Sequence, residues 1–286
     1  MIPAEFDYIR PTSVEEAVAN LIAGGEDAKV LTGGQSLMPL LRTRLSAPTV
    51  LVDCGRIDEM RGVRDDGDAI VIGAATTHFD VLHDPLVAEH APLVAQATAT
   101  VADPAIRHRG TFGGSLAHAD PAGDLPTVAL ALGAQMVVAG PDGRRTVPAS
   151  EFFVDYFTSA LEHNEVLVEV RVPKLGDGWG FDYQKFHRTA QAWAIVGVAA
   201  AVRRENGSIA EARVALTNMG PTPVRATAAE AALAGAPASA DAVAAAAERA
   251  ADGTSPTSDI HAQADFRQHL ARVLTKRAVA NAAGVG

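Results

Sequence analysis

Cysteine is nearly absent: Cys54 is the only one in 286 residues. A lone thiol excludes an intrachain disulfide, and this chain by itself cannot ligate an iron–sulfur cluster or build a cysteine-rich zinc site. Cys54 follows the apolar run Val50-Leu51-Val52 and is expected to be a buried packing residue. Long apolar runs are also missing; none approaches the ~18 residues that a membrane-spanning helix needs. Positive charge is in deficit, with 24 Lys and Arg against 34 Asp and Glu and a net charge of −10. That balance argues against nonspecific nucleic-acid binding and against an anionic membrane surface. The opening Met1-Ile2-Pro3-Ala4-Glu5-Phe6-Asp7 has neither the basic leader nor the apolar stretch of a signal peptide. The expectation is a cytoplasmic protein that does not insert into a membrane.

Several fingerprints are missing as well. There is no G-x-G-x-x-G, no G-x-x-x-x-G-K-[ST], no H-E-x-x-H and no G-x-S-x-G. Rossmann, P-loop, zincin and nucleophile-elbow chemistries lose their main support. His118-Ala119-Asp120, with Asp124 nearby, is an acidic cluster whose spacing matches no metal motif, so no metal site is expected.

Two glycine pairs are present: Thr32-Gly33-Gly34-Gln35-Ser36 and Thr111-Phe112-Gly113-Gly114-Ser115. Each couples Gly-Gly to a hydroxyl residue, with threonine just ahead. Glycine permits positive φ and close approach of another group to the backbone. Exposed N–H groups in such a turn form an anion-binding concavity, and Ser and Thr add donors. Both pairs are expected to be turns, together gripping the two phosphates of one dinucleotide. A single such pair reads more simply as turn punctuation; the matching decoration of both is what carries the argument.

The rest of the chain reads as mixed helix and strand with short elements. Ser13-Val14-Glu15-Glu16 is a capping box, followed by an apolar stripe of Val14, Ala17, Val18, Leu21 and Ile22 and a stop at Gly24-Gly25. Strands are expected at 29–31, 49–53, 69–74, 134–139 and 166–172. Helices are expected at 37–44, at 77–89 with a break at Asp84-Pro85, at 92–101 and at 124–132. Gly176-Asp177-Gly178 marks a boundary. Beyond it, 192–204 and 208–216 flank Asn206-Gly207, a strong hairpin signal. Alanine-rich helices follow at 226–234 and 240–251, with a last helix at 265–282.

The stretch from Thr111 through His118-Ala119-Asp120-Pro121 to Asp124-Leu125-Pro126 resembles the second FAD-binding motif of the flavoprotein subunits of molybdenum hydroxylases. Thr32 to Leu40 resembles their first. Within that family, Met1 to Tyr8, Ala102 to Arg107 and Leu216-Thr217-Asn218 are similar to the carbon monoxide dehydrogenase type of medium subunit. The likeness runs almost end to end. It implies an α+β chain: a two-subdomain FAD-binding domain of the vanillyl-alcohol-oxidase type over 1–176, then a small antiparallel sheet with a helical bundle over 177–286.

The resemblance also implies roles. Thr32, Gly33, Gly34, Gln35 and Ser36, with Thr111, Gly113, Gly114 and Ser115, would hold the pyrophosphate through N–H and hydroxyl groups. Asp124 would accept from a ribose hydroxyl; its plain alternative is a helix N-cap. Val101 and Leu167 would flank the cofactor, or be core under any reading. Lys185 would sit near the flavin and favour its reduced anion, or else be a solvated strand residue. Trp193 would pack by the isoalloxazine, or be core. Three residues depart from the family pattern: Ser115 stands where Asn is usual, Phe112 where a smaller aliphatic is usual, and Trp193 where the carbon monoxide enzyme has tyrosine.

The function implied is an electron-transfer subunit with no catalytic acid or base of its own. FAD accepts electrons singly and delivers them in pairs. Molybdenum cofactor and two-iron two-sulfur clusters would sit on a large and a small partner subunit, in a dimer of heterotrimers. A related hydroxylase acting on an aldehyde or N-heterocycle is an alternative. Two rivals fall outside that class: a self-contained flavin oxidase, with His108 or His118 as the nearest covalent attachment points, and a non-enzymatic nucleotide-binding module.

Overall fold

A computed structural model describes residues 2–285. Three larger sheets organise it, beside a two-stranded one of Phe153–Asp155 and Thr158–Ser159. Strands Asp7–Ile9, Val50–Asp53 and Ala28–Leu31 lie in that spatial order and are parallel. Helix Val14–Gly24 joins the outer two. Ser13 caps it, accepting from the Glu16 N–H at 3.1 Å. The Glu16 carboxylate does not close the box on Ser13; it accepts from the N–H and hydroxyl of Thr12 instead, at 2.7 and 2.9 Å. Val14, Ala17, Val18 and Leu21 are buried as the stripe requires, whereas Ile22 is exposed.

The second sheet is antiparallel and has five strands, in the order Val63–Asp66, Ala69–Gly73, Val166–Pro173, Gln135–Gly140 and Gly143–Pro148. Its middle strand comes from the far end of this region and joins two hairpins that precede it in the chain. Met136, Val138, Ile70, Ile72, Val168 and Val170 supply its dry face to the larger core.

The third sheet follows Gly176-Asp177-Gly178, both of whose glycines have positive φ. It runs Trp179–Phe186, Val196–Glu205, Ser208–Thr217, Val224–Arg225, all antiparallel. Asn206 and Gly207 both take positive φ, the requirement of a type I′ hairpin turn. The first strand of this sheet was not expected, although Trp179, Phe181 and Tyr183 alternate along it. Helices Thr227–Leu233, Ala240–Ala247 and Ala264–Ala283 cover one face.

The two faces divide cleanly. Val196, Val198, Ala200 and Val202 belong to the helix-covered core. Ala199 and Ala201, the intervening residues, join the larger core with Tyr183 and Ala215. Small side chains on that second face let helices Pro92–Ala99 and Asp124–Leu132 lie close against the sheet. On the helix-covered side, a Cβ on Gly180 would stand 1.9 Å from the Ala282 carbonyl oxygen, so the final helix touches bare backbone.

Candidate functional site

The first glycine motif joins strand Ala28–Leu31 to helix Leu37–Thr43. Gly34 has φ +72°, a conformation that glycine adopts at no steric cost. The N–H groups of Gly34, Gln35 and Ser36 have no acceptor among the described residues, and the Ser36 side chain makes no cap bond. Gln35 folds back, its amide donating to the Gly33 carbonyl at 3.2 Å. The first motif is thus a turn, as expected, with three N–H groups that no protein acceptor occupies among the described residues.

The second motif differs from expectation. It is the first turn of helix Phe112–His118, not a free turn, and neither glycine has positive φ. Its N–H groups are spoken for: Phe112 and Gly113 donate to the carbonyls of Thr76 and Ala74, both at 2.9 Å, and Ser115 donates to that of Thr111 at 3.1 Å. Gly114 donates to the Thr111 hydroxyl at 3.2 Å, the N-cap bond. The Ser115 hydroxyl donates to the Phe112 carbonyl at 3.0 Å.

The glycines are needed for close packing around both motifs. A Cβ on Gly33 would fall 2.2 Å from the Arg109 carbonyl oxygen, and one on Gly113 would fall 2.3 Å from the Ala74 Cβ. A Cβ on Gly114 would crowd both threonine hydroxyls, at 2.5 Å from Thr111 and 3.1 Å from Thr32. Those hydroxyls lie 2.9 Å apart. The motifs are thus clasped directly.

They open onto one cavity of about 580 Å³, within the size range of small-ligand and cofactor sites. Thr32 to Ser36, Thr111 and Gly113 to Ser115 line it, and so do Val101, Asp124, Leu167, Lys185 and Trp193. Val101 is placed by Arg107, which donates to its carbonyl at 2.8 Å and holds neighbouring Ala102 at φ +43°. Leu167 reaches the wall beside a break in strand register between Leu167 and Glu169. Trp193 is 56% exposed at the rim, so it is not core.

Asp124 and Lys185 form an ion pair at 2.7 Å, their side chains 4% and 3% exposed. Neither simple alternative holds: Gly123, not Asp124, occupies the N-cap, and Lys185 is not solvated. Tyr183, two residues before Lys185 on the same strand face, donates to the other Asp124 oxygen at 2.7 Å. Lys185 also donates to the Thr100 carbonyl at 3.1 Å. Burial raises the Asp124 carboxyl pKa, and the Lys185 ammonium and Tyr183 hydroxyl oppose that rise without cancelling it. Two donors at 2.7 Å are the surroundings of an ionised carboxylate. Lys185 therefore carries a counter-charge and is not a lone cation. Tyr183 was missed from sequence; its place one turn of the pleat from Lys185 is the signal that could have found it.

Around the wall, burial lowers the His118 pKa and raises that of Asp120. No group of three metal-ligating side chains occurs among the described residues. His108 stacks on Phe79, with ring centroids 3.9 Å apart. Cys54 is buried, its thiol pushed up to about 12. No helix is long and apolar enough to cross a membrane, among the described residues.

The cavity is walled by the clasped glycine motifs and by Lys185 of the third sheet. Residues 4–175 match the FAD binding domain in molybdopterin dehydrogenase. Residues 181–282 match the CO dehydrogenase flavoprotein C-terminal domain. The chain is 43% identical to the carbon monoxide dehydrogenase medium chain of Hydrogenophaga pseudoflava, over 98% of this chain and 97% of that one. It is 39% identical to the 6-hydroxypseudooxynicotine dehydrogenase complex subunit alpha of Paenarthrobacter nicotinovorans, over 99% and 96%. A solved structure of the Hydrogenophaga pseudoflava carbon monoxide dehydrogenase lacking the Mo-pyranopterin moiety superposes with a TM-score of 0.96 at 45% identity, covering 99% of this chain and 98% of that chain. The chain belongs to the molybdenum hydroxylase flavoprotein family, as an FAD-binding medium subunit of the carbon monoxide dehydrogenase-like type.

Proposed function

We propose that this subunit relays electrons from iron–sulfur clusters on a small partner to an external acceptor, the substrate being oxidised on a molybdenum-bearing large partner. The observation that carries the proposal is the convergence of both glycine motifs, Asp124, Leu167, Lys185 and Trp193 on one cavity. Bound FAD supplies the exchange between one- and two-electron chemistry.

In this reading the first motif receives the diphosphate on the free N–H groups of Gly34, Gln35 and Ser36. The second motif positions the first through the Thr32–Thr111 bond and contributes helix backbone at close approach. Val101, Leu167 and Trp193 exclude water from the ring system. Asp124 holds Lys185 in place and tempers its field. The division falls at 176/177, and the cavity draws on both parts. Partners assemble as a dimer of heterotrimers in the cytoplasm. The relatives act on carbon monoxide in one case and on 6-hydroxypseudooxynicotine in another, by their names. The substrate is therefore set by the large subunit.

Coexpression with a molybdenum-bearing large chain and a cysteine-rich small chain tests this. The expected result is one yellow-brown complex whose flavin bleaches when substrate is added anaerobically, and which releases all its FAD on acid precipitation. A colourless complex overturns the proposal. So does flavin that stays with the acid precipitate, which would indicate the self-contained oxidase.

A further inference from the structure

His78 belongs to the cavity wall but to neither glycine motif. It opens helix His78–His83, directly after the bridge that pairs Thr77 with Thr111. Its N–H donates to the Gly110 carbonyl at 2.9 Å, which fixes the side chain immediately under the second motif. The residue is only 4% exposed. Its Nδ1 is sealed inside the protein with no hydrogen-bond partner. The Nε2 edge lies against Gly110, another cavity-wall residue; a Cβ there would meet Cδ2 at 2.9 Å and Nε2 at 3.2 Å. Glycine at 110 thus leaves the ring its room.

Two physical points fix what this imidazole presents. Burial and the nearby Arg107 charge lower its pKa to about 4, so the ring is neutral at physiological pH. A neutral imidazole has one proton to place. An N–H buried without an acceptor costs more than a bare lone pair, because under-satisfied acceptors are better tolerated than orphaned donors. This balance favours the tautomer with a bare Nδ1 and the proton on Nε2, the nitrogen beside Gly110.

We propose that His78 is a cofactor-positioning residue, a neutral hydrogen-bond donor whose Nε2–H engages an electronegative oxygen or nitrogen of the bound flavin dinucleotide. It adds no charge to the site, which already holds the balanced Asp124–Lys185 pair. It offers a donor on the second-motif side, where the backbone N–H groups are consumed internally. This inference rests on the cavity being the FAD site.

The test uses the full chain, titrated with FAD by quenching of flavin fluorescence, with wild type, His78→Leu and His78→Gln. Leucine keeps apolar volume and removes the donor, whereas the glutamine amide restores one. FAD affinity is expected to fall about 10-fold in His78→Leu and to stay within about 3-fold of wild type in His78→Gln. The second readout is nitrogen NMR of histidine-labelled wild type, which does not depend on either variant folding. The His78 resonances, assigned through bonds to the backbone in uniformly labelled wild type, are expected to show a protonated Nε2 and to shift when FAD is added. Unchanged affinity in His78→Leu, equal losses in both variants, or His78 nitrogens indifferent to FAD would overturn the assignment. Failure of the wild-type chain to bind FAD would instead overturn the cofactor reading of the cavity.

Discussion

The hydroxyls of Thr32 and Thr111 meet at 2.9 Å, one from each glycine motif. Thr111 Oγ1 also accepts the N-cap bond from Gly114, so one oxygen both starts a helix and clasps a loop. Replacing Thr111 by Val removes both bonds. The expected cost is about 1–2 kcal/mol in urea unfolding, a typical loss for an N-cap, with a lowered flavin-to-protein ratio. A Thr32→Val variant that loses as much stability would show that the clasp, not the cap, dominates.

Gly33→Ala and Gly114→Ala are expected to destabilise the apoprotein before any cofactor is considered. At Gly33 the new methyl meets rigid backbone, the Arg109 carbonyl at 2.2 Å, and overpacking of that kind costs about 1–3 kcal/mol. Combined Gly33→Val and Gly114→Val is expected to abolish FAD retention by forcing the motifs apart. Thermal unfolding of the apo forms checks this: an unchanged melting temperature with lost FAD would place the clash with phosphate instead.

Removing one member of the Asp124–Lys185 pair strands the other in a dry site. Asp124→Asn and Lys185→Met are each expected to cost about 3–5 kcal/mol. The double variant is expected to lose less than the sum of the two. A double-mutant cycle in urea measures the coupling, and additive losses would mean the groups do not meet in solution.

His78 gives the protein an acid-sensitive term. Its folded pKa of about 4 lies below the ordinary 6.5. The unfolded chain takes up the proton first, so this contribution is complete above pH 6.5 and is lost as pH falls toward 4. The shift corresponds to roughly 3 kcal/mol. Half-buried His118, also lowered, adds loss of the same sign. Urea midpoints between pH 7.5 and 4.5 are expected to fall less steeply in His78→Leu than in wild type; parallel slopes would refute a buried neutral His78.

Cys54 is expected to resist thiol reagents in the native protein and to react once per chain after denaturation, because burial has raised its thiol to about 12. Ellman's reagent with and without guanidinium reads this directly.

Much of this molecule was legible in its residues, for identifiable reasons. Ser13, Gly25, Asn206-Gly207 and the Asp84-Pro85 break act through local backbone chemistry, and each is where the sequence puts it. The cavity residues were found because two motifs repeat one pattern and because a family likeness joined the others to them. What was not legible depended on distant neighbours. Glycines 33, 113 and 114 read as room for phosphate, yet their missing side chains make room for Arg109, Ala74 and the paired threonines. The partners of Asp124, Tyr183 and Lys185, arrive from the third sheet, far along the chain. Strand Trp179–Phe186 carried an alternating signal that the glycine-rich boundary beside it obscured.

The third sheet has a consequence for how the molecule can be taken apart. Ala199, Ala201 and Ala215 sit in one core while Val198, Ala200 and Val202 sit in the other. A single layer of backbone is thus a shared wall with no wet side. A fragment ending at residue 176 would uncover the flanks of helices 92–99 and 124–132 and forfeit Lys185, Gln191, Ala192 and Trp193 from the cavity wall. Heating should accordingly melt the chain in one step, read as a single calorimetric transition.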